Sequence, residues 1–293
     1  MVNDDGPPSK SLSPYVRPLA NALQAAGHRV SVAIPTASRS WIGKAHIIGA
    51  SLTATYVPPD AFREDGTWER AAIEAKTATD TDWVVVRNGT PASCTQLGLY
   101  NLFTDRGPLD LVISGPNHGR NASTIYNLSS GTVGGALEAA TCGKRGIALS
   151  FGSKDEQNPD VISAAARLSV RIVDHLSRNW DDRVELYNVN VPMRADVESR
   201  PVLYTRALSN QWTKGSLYAE MPLAPDQAKS ASKAGILSWF TNGAVNPTEG
   251  DHAAPTGRER YFQWSTELSD IKQSLEASPE GTDAHTVLSG CTR

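Results

Sequence analysis

Apolar residues along the first hundred positions alternate between helical and strand spacing. Over residues 13–27 they recur at the three- and four-residue intervals of a helix that packs on one side. Thr90 and Pro91 are residue types that cap and open a helix, which is predicted to continue over residues 92–103. Apolar and β-branched runs predict strands at 29–34, 52–57 and 83–86, and a short helix is predicted around 69–76.

The same alternation continues to about residue 207. Strands are predicted at 109–113, 147–151, 184–191 and 201–205, and helices at 129–143 and 160–180. Elements that alternate in this way form open, mostly parallel sheets with helices on both faces, so we predict a Rossmann-like, doubly wound α/β fold. Its first strand is predicted to be a stub, because only Met1 and Val2 precede the polar Asn3.

The pattern changes beyond Ser209. Aromatic residues at 212, 239, 240, 261 and 264 lie in polar segments without helical period, which favours an arm or hairpins over a second domain. A last short helix is predicted at residues 282–288. We predict one domain over residues 1–293, with a core of about 1–207 and a C-terminal arm of about 208–293. Apolar groups in this arm indicate a partner surface, so we expect a homodimer or a higher homo-oligomer.

Composition narrows the classes of function. The 293 residues include 28 Lys and Arg and 31 Asp and Glu, a net charge of −3, with no block of like charge. A nucleic-acid duplex or an anionic membrane is therefore not an expected partner, although small anions are. The three cysteines lack zinc or disulfide-framework spacing, and no apolar run reaches the length of a membrane span. We expect a cytoplasmic protein with reduced thiols.

Two adjacent carboxylates, Asp4 and Asp5, stand beside Gly6 at the end of the predicted stub. On an extended strand they would point to opposite faces, but a turn at Gly6 lets both converge on one point. Two like charges at that separation favour a hard divalent cation between them, Mg²⁺ or Mn²⁺. The alternative is a solvated turn with two surface carboxylates.

Two further polar loops and one glycine-rich helix start are candidates for the same site as the two carboxylates. Residues 36–46 and 114–121 follow predicted strands, and ligands of open α/β sheets bind at the carboxyl ends of strands. Residues 129–136 begin a helix that contains three glycines. Free N–H groups at such a start can bind phosphate, and the glycines can equally serve close packing against the sheet.

An ordered set of motifs carries a family resemblance. In chain order, the motifs are Asn3-Asp4-Asp5-Gly6, Arg39-Ser40, Gly89-Thr90-Pro91, Ser114-Gly115-Pro116-Asn117 and Ser130-Gly131-Thr132-Val133. With them the chain resembles the SurE family of survival proteins, which are metal-dependent nucleotidases and phosphatases. Residues 40–46, 89–94 and 114–121 are most similar to the fungal, cytosolic branch of that family. The run Asn188-Val189-Asn190-Val191-Pro192 is similar to another segment of the family.

The resemblance implies a metal site and a phosphate site. The implied ligands of Mg²⁺ or Mn²⁺ are all oxygen donors: Asp4, Asp5, Ser40 and Asn117. Of these, Asp4, Asp5 and Asn117 are also the catalytic candidates. The phosphate-binding candidates lie in the same loops and at the helix start: Arg39, Ser40, Lys44, His118, Arg120, Ser130, Gly131 and Thr132. For each cation, the alternative is a solvated loop charge.

The implied activity is hydrolysis of phosphomonoesters, as by a 5'/3'-nucleotidase or an acid phosphatase. A bound divalent ion can neutralise the phosphate and make a water molecule nucleophilic. The expected substrate is a nucleoside monophosphate or a related ester. The alternative is a nucleotide-binding or interaction module with this fold and little turnover, because a strand of two residues would hold the Asp pair loosely.

Overall fold

Strands and helices alternate in the computed structural model, which describes residues 1–74, 79–153, 155–213, 215–221, 260–265 and 268–293. The strands are β1 Ala33–Pro35, β2 Thr53–Val57, β3 Trp83–Arg87, β4 Leu111–His118, β5 Arg145–Phe151, β6 Leu186–Val191, β7 Tyr218–Met221 and β8 Tyr261–Trp264. The α-helices are α1 Val16–Ala25, α2 Arg70–Glu74, α3 Pro91–Leu97, α4 Ser123–Ser129, α5 Gly131–Thr141, α6 Pro159–Arg178, α7 Ser269–Glu276 and α8 Asp283–Leu288.

Two three-stranded sheets form the centre of the fold. One has the strand order β1-β3-β2, with β2 antiparallel, and the other has the order β4-β5-β6, with all strands parallel. The first half of the chain forms one sheet and the second half forms the other, and the N-terminal residues lie between their edge strands β1 and β4. This is the arrangement of a doubly wound α/β fold, and it confirms the predicted fold class.

The N-terminal stub, Met1 and Val2, joins the two sheets. Ala33 donates its N–H to the Met1 carbonyl at 2.9 Å on one side. On the other side, Val2 donates to the Ile113 carbonyl at 2.9 Å and accepts from Gly115 at 2.8 Å. The stub is short, as predicted, but it is hydrogen-bonded along both edges and Val2 is buried. These hydrogen bonds hold the backbone that leads into residues 3–5, which therefore lie between the two sheets.

Helices cover both faces of the combined sheet. Leu19 of α1 and Leu168 of α6 pack with Ile147 of β5 in one buried cluster. Val2 and Cys94 belong to a second cluster on the other side, beneath α3 and α5. Because apolar side chains from both faces exclude water, the carboxyl ends of the strands are the place where polar side chains gather.

The residue types at two helix starts predicted those starts correctly. Thr90 accepts a hydrogen bond from the Ser93 N–H at 3.1 Å, and Ser93 accepts one from the Thr90 N–H at 2.7 Å, so the predicted cap is a reciprocal capping box. Thr282 caps α8, which confirms the predicted last helix. Beyond residue 208, β7 and β8 form an antiparallel pair.

Other predictions were wrong. Residues 114–118 continue as strand β4, with an irregular register between Ser114 and Asn117, where a loop was predicted. Residues 201–205 form only an isolated bridge, Val202 to Thr292, because their partner is the end of the chain and not a sheet strand. Helices α4 and α7 were not predicted. The end of the predicted helix at 69–76, and the aromatic residues at 239 and 240, lie outside the described residues. Within the described part, every helix is too short or too polar to cross a bilayer.

Candidate active site

A turn built by Asn3 presents the two carboxylates. The Asn3 side chain accepts from the Gly6 N–H at 3.2 Å and donates to the Gly6 carbonyl at 2.8 Å. It also donates to the Ser13 hydroxyl at 3.1 Å, and it is fully buried. Gly6 has φ of 91°, a conformation that side-chain-bearing residues rarely adopt. The turn therefore fixes Asp4 and Asp5 directly after the stub, which argues against a solvated surface turn.

Asp4 is held by two other segments. The Thr132 hydroxyl donates to Asp4 Oδ1 at 2.5 Å, and the Arg39 N–H donates to the Asp4 carbonyl at 2.6 Å. Gly131 lies so close that a Cβ there would be 2.8 Å from Asp4 Cβ. Asp4 is only 2% exposed and lines a pocket of about 560 Å³. Thr132 and Gly131 are thus in contact with the predicted metal ligand, and they position it.

Asp5 lies beside the same pocket. Its Oδ2 accepts from the His118 N–H at 2.7 Å, which ties the N-terminal turn to the end of β4. Tyr15 packs edge-on against the His118 ring, with ring centroids 5.2 Å apart. Burial, together with the nearby charge of Asp5, raises the pKa of Tyr15 to about 12. Tyr15 therefore stays a neutral phenol next to the carboxylate across the physiological pH range.

The end of β4 supplies Asn117 and His118 to the pocket lining, and Arg120 follows in the loop after the strand. The Asn117 amide nitrogen donates to the Gly119 carbonyl at 2.7 Å, which leaves the amide oxygen as the atom with which this side chain can bind a cation. Asn190 and Asn188 donate to the Asn121 carbonyl at 3.0 and 3.1 Å. The two asparagines of β6 therefore hold the backbone of the loop that follows β4.

Ser40 lines the pocket from a third segment, the loop after β1. Its hydroxyl lies 3.1 Å from the Ser38 hydroxyl. The preceding residue, Arg39, directs its Nε to the Gly89 carbonyl at 2.9 Å. Ser40 thus lines the same pocket as Asp4 and Asn117. The Arg39 side chain instead contacts the turn before α3.

Lys44 is placed elsewhere. Its ammonium lies 2.7 Å from Glu138 Oε2, and Gln96 donates to Glu138 Oε1 at 2.6 Å. Burial of Glu138 opposes its ionisation, but hydrogen bonds from Lys44, Gln96 and His46 outweigh that effect and hold the Glu138 pKa below its usual value. Lys44 is therefore not among the residues that line the pocket, and its pairing with Glu138 anchors the loop that carries Ser40.

Helix α5 begins at the pocket. Ser130 lines it and accepts from the Val133 N–H at 3.1 Å, as an N-cap does. Two of the helix glycines meet neighbouring segments: a Cβ at Gly134 would lie 2.3 Å from the Gly43 carbonyl oxygen, and one at Gly135 would lie 2.5 Å from the Ser114 hydroxyl. These glycines serve close packing, which is one of the two roles predicted for them.

Sequence reasoning missed part of the lining. The additional lining residues are Trp41, Gly119, Asn121, Tyr126, Ser129, Gly152, Ser153, Asp155, Leu268 and Lys272. Ser153 and Asp155 follow β5 at its carboxyl end, so the rule that singled out the other loops could have found them. Leu268 and Lys272 come from the arm, and nothing in their local sequence points to a site.

The donor set fits a hard divalent cation. Asp4, Ser40 and Asn117 offer carboxylate, hydroxyl and amide oxygens from three different segments around one pocket, and Mg²⁺ and Mn²⁺ prefer such ligands. Among the described residues, no group of three or more His, Cys, Asp and Glu could hold a metal. A site here must therefore combine carboxylates with neutral oxygen ligands. The arrangement defines a class: a doubly wound α/β protein with a polar, oxygen-lined pocket at its switch point.

The family follows from a match over most of the chain. The family model described as survival protein SurE matches residues 1–214, and the protein belongs to this family. The 5'-nucleotidase SurE of Rhodopirellula baltica is 33% identical over 67% of this chain and 66% of its own length. The 5'-nucleotidase SurE of Methanocella arvoryzae is 30% identical over 98% of this chain and 86% of its own length.

A yeast relative agrees with the predicted fungal branch. The probable tubulin–tyrosine ligase PBY1 of Saccharomyces cerevisiae is 35% identical over 72% of this chain. This chain spans only 31% of the length of that protein. The crystal structure of the SurE protein from Aquifex aeolicus superposes with a TM-score of 0.61 at 24% identity, covering 99% of this chain and 89% of that one. That likeness supports the fold.

Proposed function

We propose that the protein is a divalent-metal-dependent phosphomonoesterase that hydrolyses nucleoside monophosphates or related phosphoesters. The observation that carries this proposal is the convergence of Asp4, Ser40 and Asn117 on one pocket, with Arg120 and His118 beside them. The names of the bacterial and archaeal relatives, 5'-nucleotidase, support the same reaction class.

In the proposed site, Asp4, Asp5, Ser40 and Asn117 would hold Mg²⁺ or Mn²⁺. The ion would neutralise charge on the phosphate and make a water molecule more acidic. Thr132 and the Asn3 turn keep the Asp4 carboxylate in one orientation, so little reorganisation is needed when the substrate binds.

The cationic residues of the lining would act on the phosphate. Arg120 presents a guanidinium, whose planar donors match phosphate oxygens. His118, held by its backbone bond to Asp5, is the candidate acid for the oxygen of the leaving alcohol. Ser130, at the start of α5, would add a polar contact near the N–H groups of the helix. The alcohol would leave protonated, and inorganic phosphate would remain in the pocket.

The test is hydrolysis of p-nitrophenyl phosphate by the full chain with Mn²⁺, with Mg²⁺ and with excess chelator. We expect release that requires metal and falls at least about 100-fold in Asp4→Asn. The matched control is Asp182→Asn, an exposed carboxylate before β6, at the opposite end of the strands. Tight nucleotide binding without release in any metal would instead support the binding module considered above.

The domain division near residue 207, the oligomeric state and the cytoplasmic location stay predictions. Light scattering on the eluting peak of a size-exclusion column measures the second of these directly. A monomer at micromolar concentration would contradict the expected homo-oligomer.

A further inference from the structure

A buried ion pair joins the start of helix α8 to Arg293. Arg293 Nη1 lies 3.3 Å from Asp283 Oδ2, and the two side chains are 6% and 0% exposed. Burial lowers the pKa of Arg293 to about 10, and the charge of Asp283 opposes that shift, so the guanidinium stays protonated at neutral pH. Neither residue lines the pocket. Because the cost of removing two charges from water can exceed their attraction, stability alone is a weak explanation for such a pair.

Each member of the pair binds the backbone of the segment that follows β4. Arg293 Nη2 donates to the Asn121 carbonyl at 2.5 Å. Asp283 Oδ2 accepts from the Ser123 N–H at 2.9 Å. Ser123 is the first residue of α4, and its φ of 74° lies in the left-handed region that residues with a side chain rarely adopt. The pair therefore holds two residues only two positions apart, one of them in a strained conformation.

The guanidinium of Arg120 lies beside α4, the helix that begins at Ser123. Burial raises the pKa of Tyr126 in this helix, and the positive charge of Arg120 opposes that shift, so the two side chains are close enough to interact. Arg120, Asn121 and Tyr126 all line the pocket. The loop that carries Arg120 and the helix beside its guanidinium are consequently held by the same buried ion pair.

Two asparagines of β6 donate to the same carbonyl oxygen of Asn121. The donors are the amide groups of Asn188 and Asn190, at 3.1 and 3.0 Å. Arg293 supplies the charged donor at this oxygen, and charge-assisted hydrogen bonds are roughly twice as strong as neutral ones. Loss of the guanidinium should therefore loosen the loop even though both asparagines remain.

We propose that Arg293 and Asp283 are positioning residues for phosphate binding: they fix the backbone of residues 121–123 and thereby set the place of the Arg120 guanidinium in the pocket. The inference rests on the proposed function, which assigns Arg120 to the phosphate. The candidate carboxylate ligands of the metal lie in the N-terminal turn, which has its own hydrogen bonds. Loss of the ion pair should therefore weaken phosphate binding and leave metal binding nearly unchanged.

The experiment measures the affinity of the full chain for inorganic phosphate by calorimetry in saturating Mg²⁺, together with kcat and KM for p-nitrophenyl phosphate in Mn²⁺. Arg293→Met removes both bonds of the guanidinium and should weaken phosphate binding at least about 10-fold. KM should rise by a similar factor, while kcat and the affinity for the metal stay within about threefold. Arg293→Lys keeps the charge without the planar fork, so it should recover part of the loss.

Two comparisons separate positioning from a general loss of stability. Arg183→Met breaks an ion pair with Asp181 at the surface, where the Arg183 side chain is 90% exposed, and should leave phosphate affinity unchanged. Arg120→Gln should itself weaken phosphate binding, and in that background Arg293→Met should add less than about twofold, because both changes remove the same contact. If Arg293→Met fails to fold, Asp283→Asn combined with Arg293→Met removes both buried charges and takes its place with the same expectation.

Unchanged phosphate affinity in a folded Arg293→Met variant would overturn the inference, and so would an equal loss with and without the Arg120 guanidinium. A lack of phosphate binding by the unaltered protein would overturn it as well. The proposed function is judged separately. If p-nitrophenyl phosphate is not hydrolysed in any metal, that proposal fails, while the calorimetric result still decides the role of the ion pair.

Discussion

Replacing Gly131 by alanine tests how closely α5 approaches the side chain of Asp4, the candidate metal ligand. The new Cβ would lie 2.8 Å from Asp4 Cβ, 2.9 Å from Ile42 Cγ2 and 3.0 Å from the Arg39 carbonyl oxygen. Ordinary contact begins at 3.4 Å, so the first of these separations must grow by about 0.6 Å, the difference between 3.4 and 2.8 Å. Because Asp4 Cβ is attached directly to the backbone, a shift that relieves this contact moves the Asp4 carboxylate from its place at the pocket.

A displacement of this size has a predictable cost. A misplacement of about 1 Å in a catalytic group can lower the rate about 100-fold, so Gly131→Ala should lose about 10- to 100-fold in kcat/KM. The unfolding free energy should fall by about 1–3 kcal/mol, as in other overpacked sites. The assay is p-nitrophenyl phosphate hydrolysis at saturating Mn²⁺, with a thermal melt to show that the variant is folded.

The matched control is Gly98→Ala. Gly98 has helical dihedral angles, φ −62° and ψ −42°, and a Cβ there would meet the Phe103 ring at an ordinary 3.4 Å. We expect its activity to stay within about twofold of the unaltered protein, with stability equal or higher by up to about 1 kcal/mol. A folded Gly131→Ala variant with the activity of the Gly98→Ala control would refute the account of the Asp4 contact.

Three further predictions follow from single contacts. Thr132→Val removes the hydroxyl that binds Asp4 and should weaken Mn²⁺ binding by at least about 10-fold in a calorimetric titration, with Thr132→Ser restoring it. Asn3→Ala breaks the turn and should lower the unfolding free energy by about 2–3 kcal/mol in urea. Glu138→Gln should cost about 1–3 kcal/mol at pH 7, because it leaves the Lys44 ammonium without a carboxylate. Since the folded-state pKa of Glu138 is lowered, its contribution is complete above the ordinary value of 4.5 and is lost as the pH falls through the lowered value, so the two unfolding curves should converge in acid. A difference that persisted in acid, or no loss of Mn²⁺ affinity in Thr132→Val, would contradict the corresponding contact.

Local chemistry made much of the fold predictable. Thr90, Pro91 and Thr282 mark helix starts through bonds to residues three positions away, and such bonds depend on the adjacent sequence alone. The polar segments at the carboxyl ends of β1 and β4 are recognisable because strand ends in an open α/β sheet gather at one edge. The same rule covers Ser153 and Asp155, which follow β5.

Contacts between distant segments could not be predicted. A lysine in a loop and a glutamate in a helix are both typical of exposed surfaces, so nothing in the sequence indicates that Lys44 pairs with the buried Glu138. Lys272 lines the pocket because α7 packs against α4, where Ile271 and Ile125 share a buried cluster. The two-residue stub is too short to show the alternating pattern of a strand. It is held by backbone hydrogen bonds to Ala33 and Gly115, which are distant in the sequence.

The most direct test of the central claim is a crystal structure of the full chain grown with Mn²⁺, in which anomalous scattering locates the ion. The account predicts an ion in direct contact with the Asp4 carboxylate, with the Ser40 hydroxyl and the Asn117 amide oxygen on the same ion or on its waters. An ion bound elsewhere, with this pocket empty at saturating Mn²⁺, would contradict it.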